Sequence, residues 1–503
     1  MTAAQQAAVR PRSLTPLLMA VLAACILRFW IVPLPSSFWL DEMVTSFVIH
    51  YGAQHASLRV APQVTETIYY AIPELAEKLF GFSEVSYRIP SLALMGVALI
   101  FIACLAARLI HPQAAWFAVF ACLSLKGFNY QAADARPYGL GTAVTCAALW
   151  LEIRWLDRGR WIEGIAFAAL AAALWRVHLI YWPFYAIFAG YAIWRIAARE
   201  TPVTWLKGIA ILTLLGAALV PVALRALALA RNAGAHVIVP PPTLRDLRGS
   251  YHFLLALLAG GGAGAVGWFF QWPRPGFARP YSGAGVLLLW WLWFPLALFL
   301  YSRFTGNSVF VPRYLSLVLA GTGLAATAIA ACFIPEQRWG PMSLALGLGV
   351  LIFMGQWTIA RPRHDNSDWR GAAQAIKALH LAPSTPVIYP SPFIEARSPV
   401  WRPDYPLPGF LYCHLLIYPV GGTPYLFPFE SSPEAERYAA DLAGRTLSSA
   451  GRFLIYGGDR NVLRWQTWFR RRLEFQQWRT RRLGPFGDVE VALFEGPSAV
   501  AAR

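Results

Sequence analysis

Asp41 and Glu42 are the only adjacent acidic residues in the first 360 positions of the chain. Neighbours on a helix point about 100° apart, so the two carboxylates cannot serve one atom equally. One can act as general base on a hydroxyl while the other orients a neighbour or binds a cation. Both can equally do no more than favour a helix start through its dipole. Arg136 stands between Asp134 and Tyr138 in NYQAADARPYGLG, residues 129–141. An arginine there can grip a phosphate with paired hydrogen bonds, or carry its charge out to lipid headgroups. Arg88, just before Pro90, and Arg313, followed by Tyr314 in VPRYL, take the same two readings. His178, in WRVHLIYW, can be a ligand, a metal donor or a proton carrier, or simply bond a backbone carbonyl.

The elements that position these residues are mostly apolar. Hydrophobic residues make up 57% of the 503 and charged residues 14%, against about 25% charged in a soluble domain. The mean hydropathy is +0.46. Apolar runs fall at 14–34, 90–110, 113–125, 138–152, 163–176, 179–196, 207–225, 252–272, 283–301, 314–334 and 341–359, many of them near the ~20 residues that cross a bilayer. The 22 Trp and 20 Tyr suit the aromatic belts of membrane helices. The expectation is a polytopic α-helical membrane protein with about eleven spans.

With the N-terminus inside, held by Arg10 and Arg12, an odd number of spans places the tail outside. Inner loops then carry Arg154, Arg158 and Arg160, Arg195, Arg199 and Lys207, and Arg274 and Arg279. An outer loop also carries Arg225, Arg231, Arg245 and Arg248, so the positive-inside bias is modest. The net charge of +17 is spread through short loops and forms no continuous basic stripe over the first 360 residues, which excludes a nucleic-acid reading. The six cysteines show no metal-binding or disulfide pattern.

Two segments differ from the rest. The connection 35–89 contains FWLDEMVTSFVIHYG, whose Leu40, Met43, Val44, Phe47 and Tyr51 form a helical stripe. Gly52 ends it. It reads as a short helix lying on the membrane, apolar face down, with a second helical stretch at 65–80. The tail, 361–503, is long enough for its own core. Asp368 can cap a helix in WRGAAQAIKAL, and TPVIYP, RFLIYGG and VEVALFEG read as strands. The division is therefore 1–360, a transmembrane module, and 361–503, a C-terminal extracytoplasmic α/β domain. Within the tail, RWQTWFRRRLEFQQWRTRR, 464–482, reads by default as a solvated basic face and can also dock on anionic headgroups; stacking with nucleic acid does not fit a tail held outside the membrane.

The layout resembles the GT-C superfamily of membrane glycosyltransferases, and within it the bacterial relatives of protein O-mannosyltransferases and lipid A aminoarabinose transferases (glycosyltransferase family 39-like). The resemblance rests on Leu40-Asp41-Glu42, Arg88-Ile89-Pro90-Ser91, Ala135-Arg136-Pro137-Tyr138, Arg313-Tyr314-Leu315 and Asp368-Trp369-Arg370, in that order over residues 14–400. It implies transfer of a sugar from a polyprenyl phosphate to an acceptor hydroxyl, at the outer face of a bacterial cytoplasmic (inner) membrane. Asp41 is then the base and Glu42 its helper, and Arg136, Arg88 and Arg313 neutralise the departing phosphate. Asp134, Tyr138, His178 and Tyr314 complete the expected substrate-binding set.

Metal use varies in the superfamily, so no ligand is assigned and a divalent cation stays an open alternative. The implied partners are the lipid-linked donor, membrane lipids and an acceptor of unspecified class. QVTETIYYAIP, 63–73, replaces a Pro-Pro-Leu-Tyr-like stretch of many relatives, which implies a specialised pocket or lost activity. A lipid-linked-sugar transporter and a non-catalytic scaffold remain rival readings. The transporter should show repeats and charges inside the spans.

Overall fold

A computed structural model describes residues 14–232, 239–273, 281–353 and 363–497. Arg10, Arg12, Arg274 and Arg279, which bear on orientation, lie outside them. A helix lies over each of the eleven apolar runs. Among the described residues, four are long and apolar enough to cross a membrane: Glu84–Leu109, Trp205–Arg231, Ser282–Thr305 and Pro312–Ala330. Leu244–Ser250 and Phe253–Phe269, bent by 46°, make a fifth if taken as one span. Ala115–Leu123 has nine residues, too few at 1.5 Å each to cross about 30 Å. The chain is thus a membrane protein with several apolar helices, and among the described residues length and composition support four or five crossings of the eleven expected.

Only 17% of the apolar window in Trp205–Arg231 is buried, with Leu206 and Ile209 outward. A stripe of that length is stable only where lipid covers it. The other apolar helices pack on one another around a core that includes Met95, Phe120, Trp155, Phe184 and Trp290.

Helix Leu40–Tyr51 forms as expected. Asp41 and Glu42 sit in its first turn, Glu42 reaches back to the Trp39 N–H, and Gly52 ends it at φ +82°. That positive φ suits glycine. Its surroundings are not those expected. Met43, Val44, Phe47 and Val48 are buried in a second core shared with Trp369, Tyr389, Leu411 and Tyr412 of the tail. The apolar face is covered by protein and is not available to lipid. The second stretch is shorter than 65–80: single turns at Ala56–Val60 and Pro62–Thr65 precede helix Ala71–Phe80.

The tail carries a five-stranded mixed sheet, β1 Pro386–Pro390, β2 Thr423–Phe427, β3 Arg452–Gly458, β4 Arg479–Phe486 and β5 Val489–Glu495, in the order β2-β1-β3-β5-β4. β1 runs parallel to β2 and β3, whereas β5 is antiparallel to β3 and β4. Asp368 caps helix Trp369–Lys377 through the Gly371 N–H at 2.9 Å. Arg370 then ties the tail to the first loop, bonding the Pro35 carbonyl and pairing with Glu84 at 3.1 Å.

Candidate functional site

The site is built around the start of helix Leu40–Tyr51. Glu42 is fully buried, and burying a carboxylate is costly unless it is paired and hydrogen-bonded. Arg88, also 0% exposed, supplies both: Nε donates to Oε1 at 2.7 Å and Nη2 to Oε2 at 2.5 Å. Backbone N–H groups of Ala135 and Trp39 complete the two oxygens at 2.8 and 3.1 Å. The remaining Arg88 donors go to the carbonyls of Leu34, Ser36 and Ser37 at 2.7, 2.7 and 3.0 Å. Guanidinium has five N–H donors, and all are spent. Arg88 therefore cannot grip a substrate phosphate, contrary to the expectation. Glu42 likewise does not reach an open side, contrary to its expected place in the catalytic pair.

The bond from Glu42 to Ala135 fixes the turn between helices Lys126–Ala132 and Tyr138–Arg158. That turn delivers Arg136, whose Nη1 donates to the Asp41 carbonyl at 3.1 Å and to Thr45 Oγ1 at 3.3 Å. Thr45 in turn donates to the Ala135 carbonyl at 3.1 Å. The Nε of Arg136 is buried and without a partner. Burial, the largest single effect, works against its charge, but Asp41, Tyr138, Tyr70 and Asp134 together outweigh it and raise its pKa.

Asp41 itself is different in kind. Its side chain is 19% exposed, and Arg313 Nη1 lies 3.5 Å from Oδ2. This is its only ion pair among the described residues. Arg313 is held over the rings of Trp39 and Tyr314, 5.8 and 5.5 Å from their centres, and is 44% exposed. Tyr314 and Tyr138 flank His178, with ring centres 5.2 and 5.9 Å away. His178 Nδ1 accepts the Ile180 N–H at 3.3 Å, closing the turn Leu179–Tyr181. This wall is close-packed: a Cβ on Gly141 would lie 2.3 Å from the Tyr181 ring. The Tyr138 hydroxyl is buried without a partner.

Asp134 is fully buried and does not present its carboxylate to open space, as a substrate-binding residue would. Oδ1 accepts the Trp39 indole N–H at 3.0 Å, and Oδ2 has no partner. Burial pushes its pKa up to about 7, against the lowering effects of the Trp39 bond, Arg136 and Arg88. His364, from the segment entering the tail, places Nε2 3.4 Å from Asp134 Oδ1 and 4.0 Å from Glu42 Oε1. Burial pushes its pKa down to about 3, Glu42 opposing and Arg88 assisting. Its ring lies over Tyr130, 4.0 Å between centres.

Sequence reasoning missed both His364 and Trp39. The only signal for His364 is its place in HDNSDWR, four residues before the capping Asp368. Glu42, Asp134 and His364 are the one described trio whose ligand atoms lie within 4.8 Å of one another. Glu42 already accepts four hydrogen bonds, so Asp134 and His364 alone are free to bind. Two donors fall short of the three or four that hold zinc.

Residues 67–223 match the model of the family described as dolichyl-phosphate-mannose-protein mannosyltransferase. The fold is similar to that of ArnT from Cupriavidus metallidurans. In its apo state the TM-score is 0.50 at 12% identity, over 95% of this chain and 98% of that one. Bound to undecaprenyl phosphate, the same protein aligns with a TM-score of 0.51 at 12% identity, over 96% and 98%. At that identity the likeness is one of fold. The resemblance to GT-C membrane glycosyltransferases is borne out by both findings. No curated protein matches the chain.

Proposed function

We propose that this protein transfers a sugar from a polyprenyl-phosphate carrier to an acceptor hydroxyl, with Asp41 as general base. One observation carries the reading: among three neighbouring carboxylates, Glu42 and Asp134 are sealed, and only Asp41 opens outward, beside Arg313 and Arg136. The acceptor oxygen attacks the anomeric carbon as Asp41 takes its proton. The bond from that carbon to the phosphate oxygen breaks, and the electron pair leaves on the phosphate. Arg313 is the first candidate to receive that charge, because it is the most exposed of the three arginines. Arg136 comes second, since it is partly exposed and makes its bonds to the Asp41 carbonyl and Thr45 through Nη1. Arg88, once placed between them, takes no part.

The ArnT structure bound to undecaprenyl phosphate supports a lipid-linked donor. In this reading 1–360 is the membrane module and 361–503 an extracytoplasmic domain. The active face is the outer side of a bacterial inner membrane, with the N-terminus cytoplasmic. A lipid-linked-sugar transporter or an inert scaffold needs no half-open carboxylate between two arginines.

The test uses membranes expressing wild type or Asp41→Asn, radiolabelled polyprenyl-phosphate sugars, and total membrane extract as acceptor. Label should reach a new product with wild type only. Equal transfer by both proteins would remove Asp41 from the mechanism.

A further inference from the structure

The tail carries a second basic feature that the reaction above does not use. Helices Pro433–Leu442 and Asp459–Arg470 enclose a groove of about 1050 Å³. Five arginines line it, Arg437, Arg460, Arg464, Arg471 and Arg472, against a single glutamate, Glu436. Several are held in place. Arg464 donates to the Phe429 carbonyl at 2.8 Å, and Arg437 to that of Pro433 at 3.3 Å. Arg472 lies over the Trp468 ring, 5.3 Å from its centre, and pairs with Glu474. Arg460 and Arg471 are exposed and form no ion pair among the described residues. Leu463 and the half-exposed face of Trp468 lie between the charges.

The groove's direction follows from the pleat. Residues an odd number apart on a strand point to opposite faces. On β3, Tyr456 meets Trp369, whose neighbour Arg370 bonds the first loop. Phe453, three positions away, meets Phe469 of the groove helix. The groove therefore lies on the sheet face opposite the one that meets the first loop, so its arginines Arg464, Arg471 and Arg472 face away from the membrane module. That segment is also not one surface: it divides into the end of helix Asp459–Arg470, a turn at Leu473–Phe475, and the start of β4.

We infer that this groove binds an acidic glycan. Arginine forks match carboxylate or sulfate groups in paired geometry. The part of the Trp468 indole that Arg472 leaves uncovered suits the flat apolar side of a sugar ring. The alternatives fit less well. Two helices wall the groove, so it offers no strand edge for an extended peptide, and a single exposed leucine gives no row of anchors for an amphipathic helix. One accessible aromatic is too few for the serial base stacking that holds single-stranded nucleic acid.

The experiment uses the full-length protein in nanodiscs of neutral lipid, with oligogalacturonate as probe. Neutral maltodextrin, polyglutamate and oligothymidylate are the comparators. Saturable binding of oligogalacturonate is expected, with little or none for maltodextrin. Arg460→Glu with Arg471→Glu, both at exposed positions, should weaken it by roughly tenfold or more, and Trp468→Ala should weaken it without removing charge. An unchanged melting temperature in the charge variant guards against misfolding. No saturable binding, or binding untouched by the charge variant, overturns the proposal. Polyglutamate or oligothymidylate binding as tightly as oligogalacturonate overturns it too, because the groove would then select charge or bases rather than sugars.

Discussion

Arg88 and Glu42, 46 positions apart, meet as a doubly hydrogen-bonded pair with neither side chain reaching solvent. The pair joins the first loop to the start of helix Glu84–Leu109, and through Ala135 to the turn that carries Arg136. Removing one partner leaves the other charge buried and unpaired. Arg88→Met or Glu42→Gln should each cost about 3–5 kcal/mol. Replacing both by apolar residues should cost clearly less than the sum of the singles. Unfolding of detergent-solubilised variants measures this; single variants as stable as wild type would show that the pair does not hold the loop.

Asp41 should behave in the opposite way. Its side chain is 19% exposed and its contact with the 44% exposed Arg313 is a loose one of 3.5 Å, and a solvent-reached pair of that kind contributes about 0–1 kcal/mol. Asp41→Asn should therefore leave the melting temperature nearly unchanged while lowering transfer by about 10²–10⁴-fold. A variant that loses activity only in proportion to lost folded protein would make Asp41 structural.

Arg313 should separate from Arg88 by the same contrast. Arg313→Ala should keep the fold and reduce transfer by about 10²–10³-fold, with weaker retention of polyprenyl phosphate in a binding assay. Arg313→Lys should recover part of the binding but little of the rate, because an ammonium cannot make the paired contact. Full activity in Arg313→Ala would assign the departing phosphate to Arg136.

Charge at the ends of apolar runs made Asp41, Arg136 and Arg313 legible in the sequence, because membrane chemistry makes such charges conspicuous. Helix Leu40–Tyr51, its stop at Gly52, the Asp368 cap, β1, β3 and β5 were legible from local pattern. What failed was long-range. Nothing near Arg88 shows that Glu42 and three carbonyls exhaust its donors. Nothing near Met43 shows that the tail, more than 300 residues later, covers it. β4, RTRRLGPF, hides because charge and a Gly-Pro break mask an edge strand. β2, TPYLF, follows two glycines and begins with proline one residue in. His364 stands beside Asp134 only through tertiary folding, across 230 positions of chain.

That last pair makes a pH prediction whose sign can be worked out. Asp134 has a folded pKa raised to about 7 from an ordinary 3.8. It contributes stability below pH 3.8 that is lost as pH rises through about 7. His364 has a folded pKa lowered to about 3 from an ordinary 6.5. Its contribution is full above pH 6.5 and lost as pH falls through about 3. Between about pH 4 and 6.5 the two slopes oppose. The folded pair keeps one proton, on Asp134, and the unfolded chain also keeps one, on His364, so the net uptake on unfolding is close to zero. Wild-type stability from this pair should be flat across that window. His364→Gln removes one side of the balance, and stability should then fall with pH by up to about 1.4 kcal/mol per unit. Asp134→Asn removes the other, and stability should rise with pH instead. Unfolding curves from pH 4 to 7 for the three proteins decide it. Parallel profiles would mean that Asp134 and His364 ionise in the folded protein much as they do in water, and would overturn the prediction.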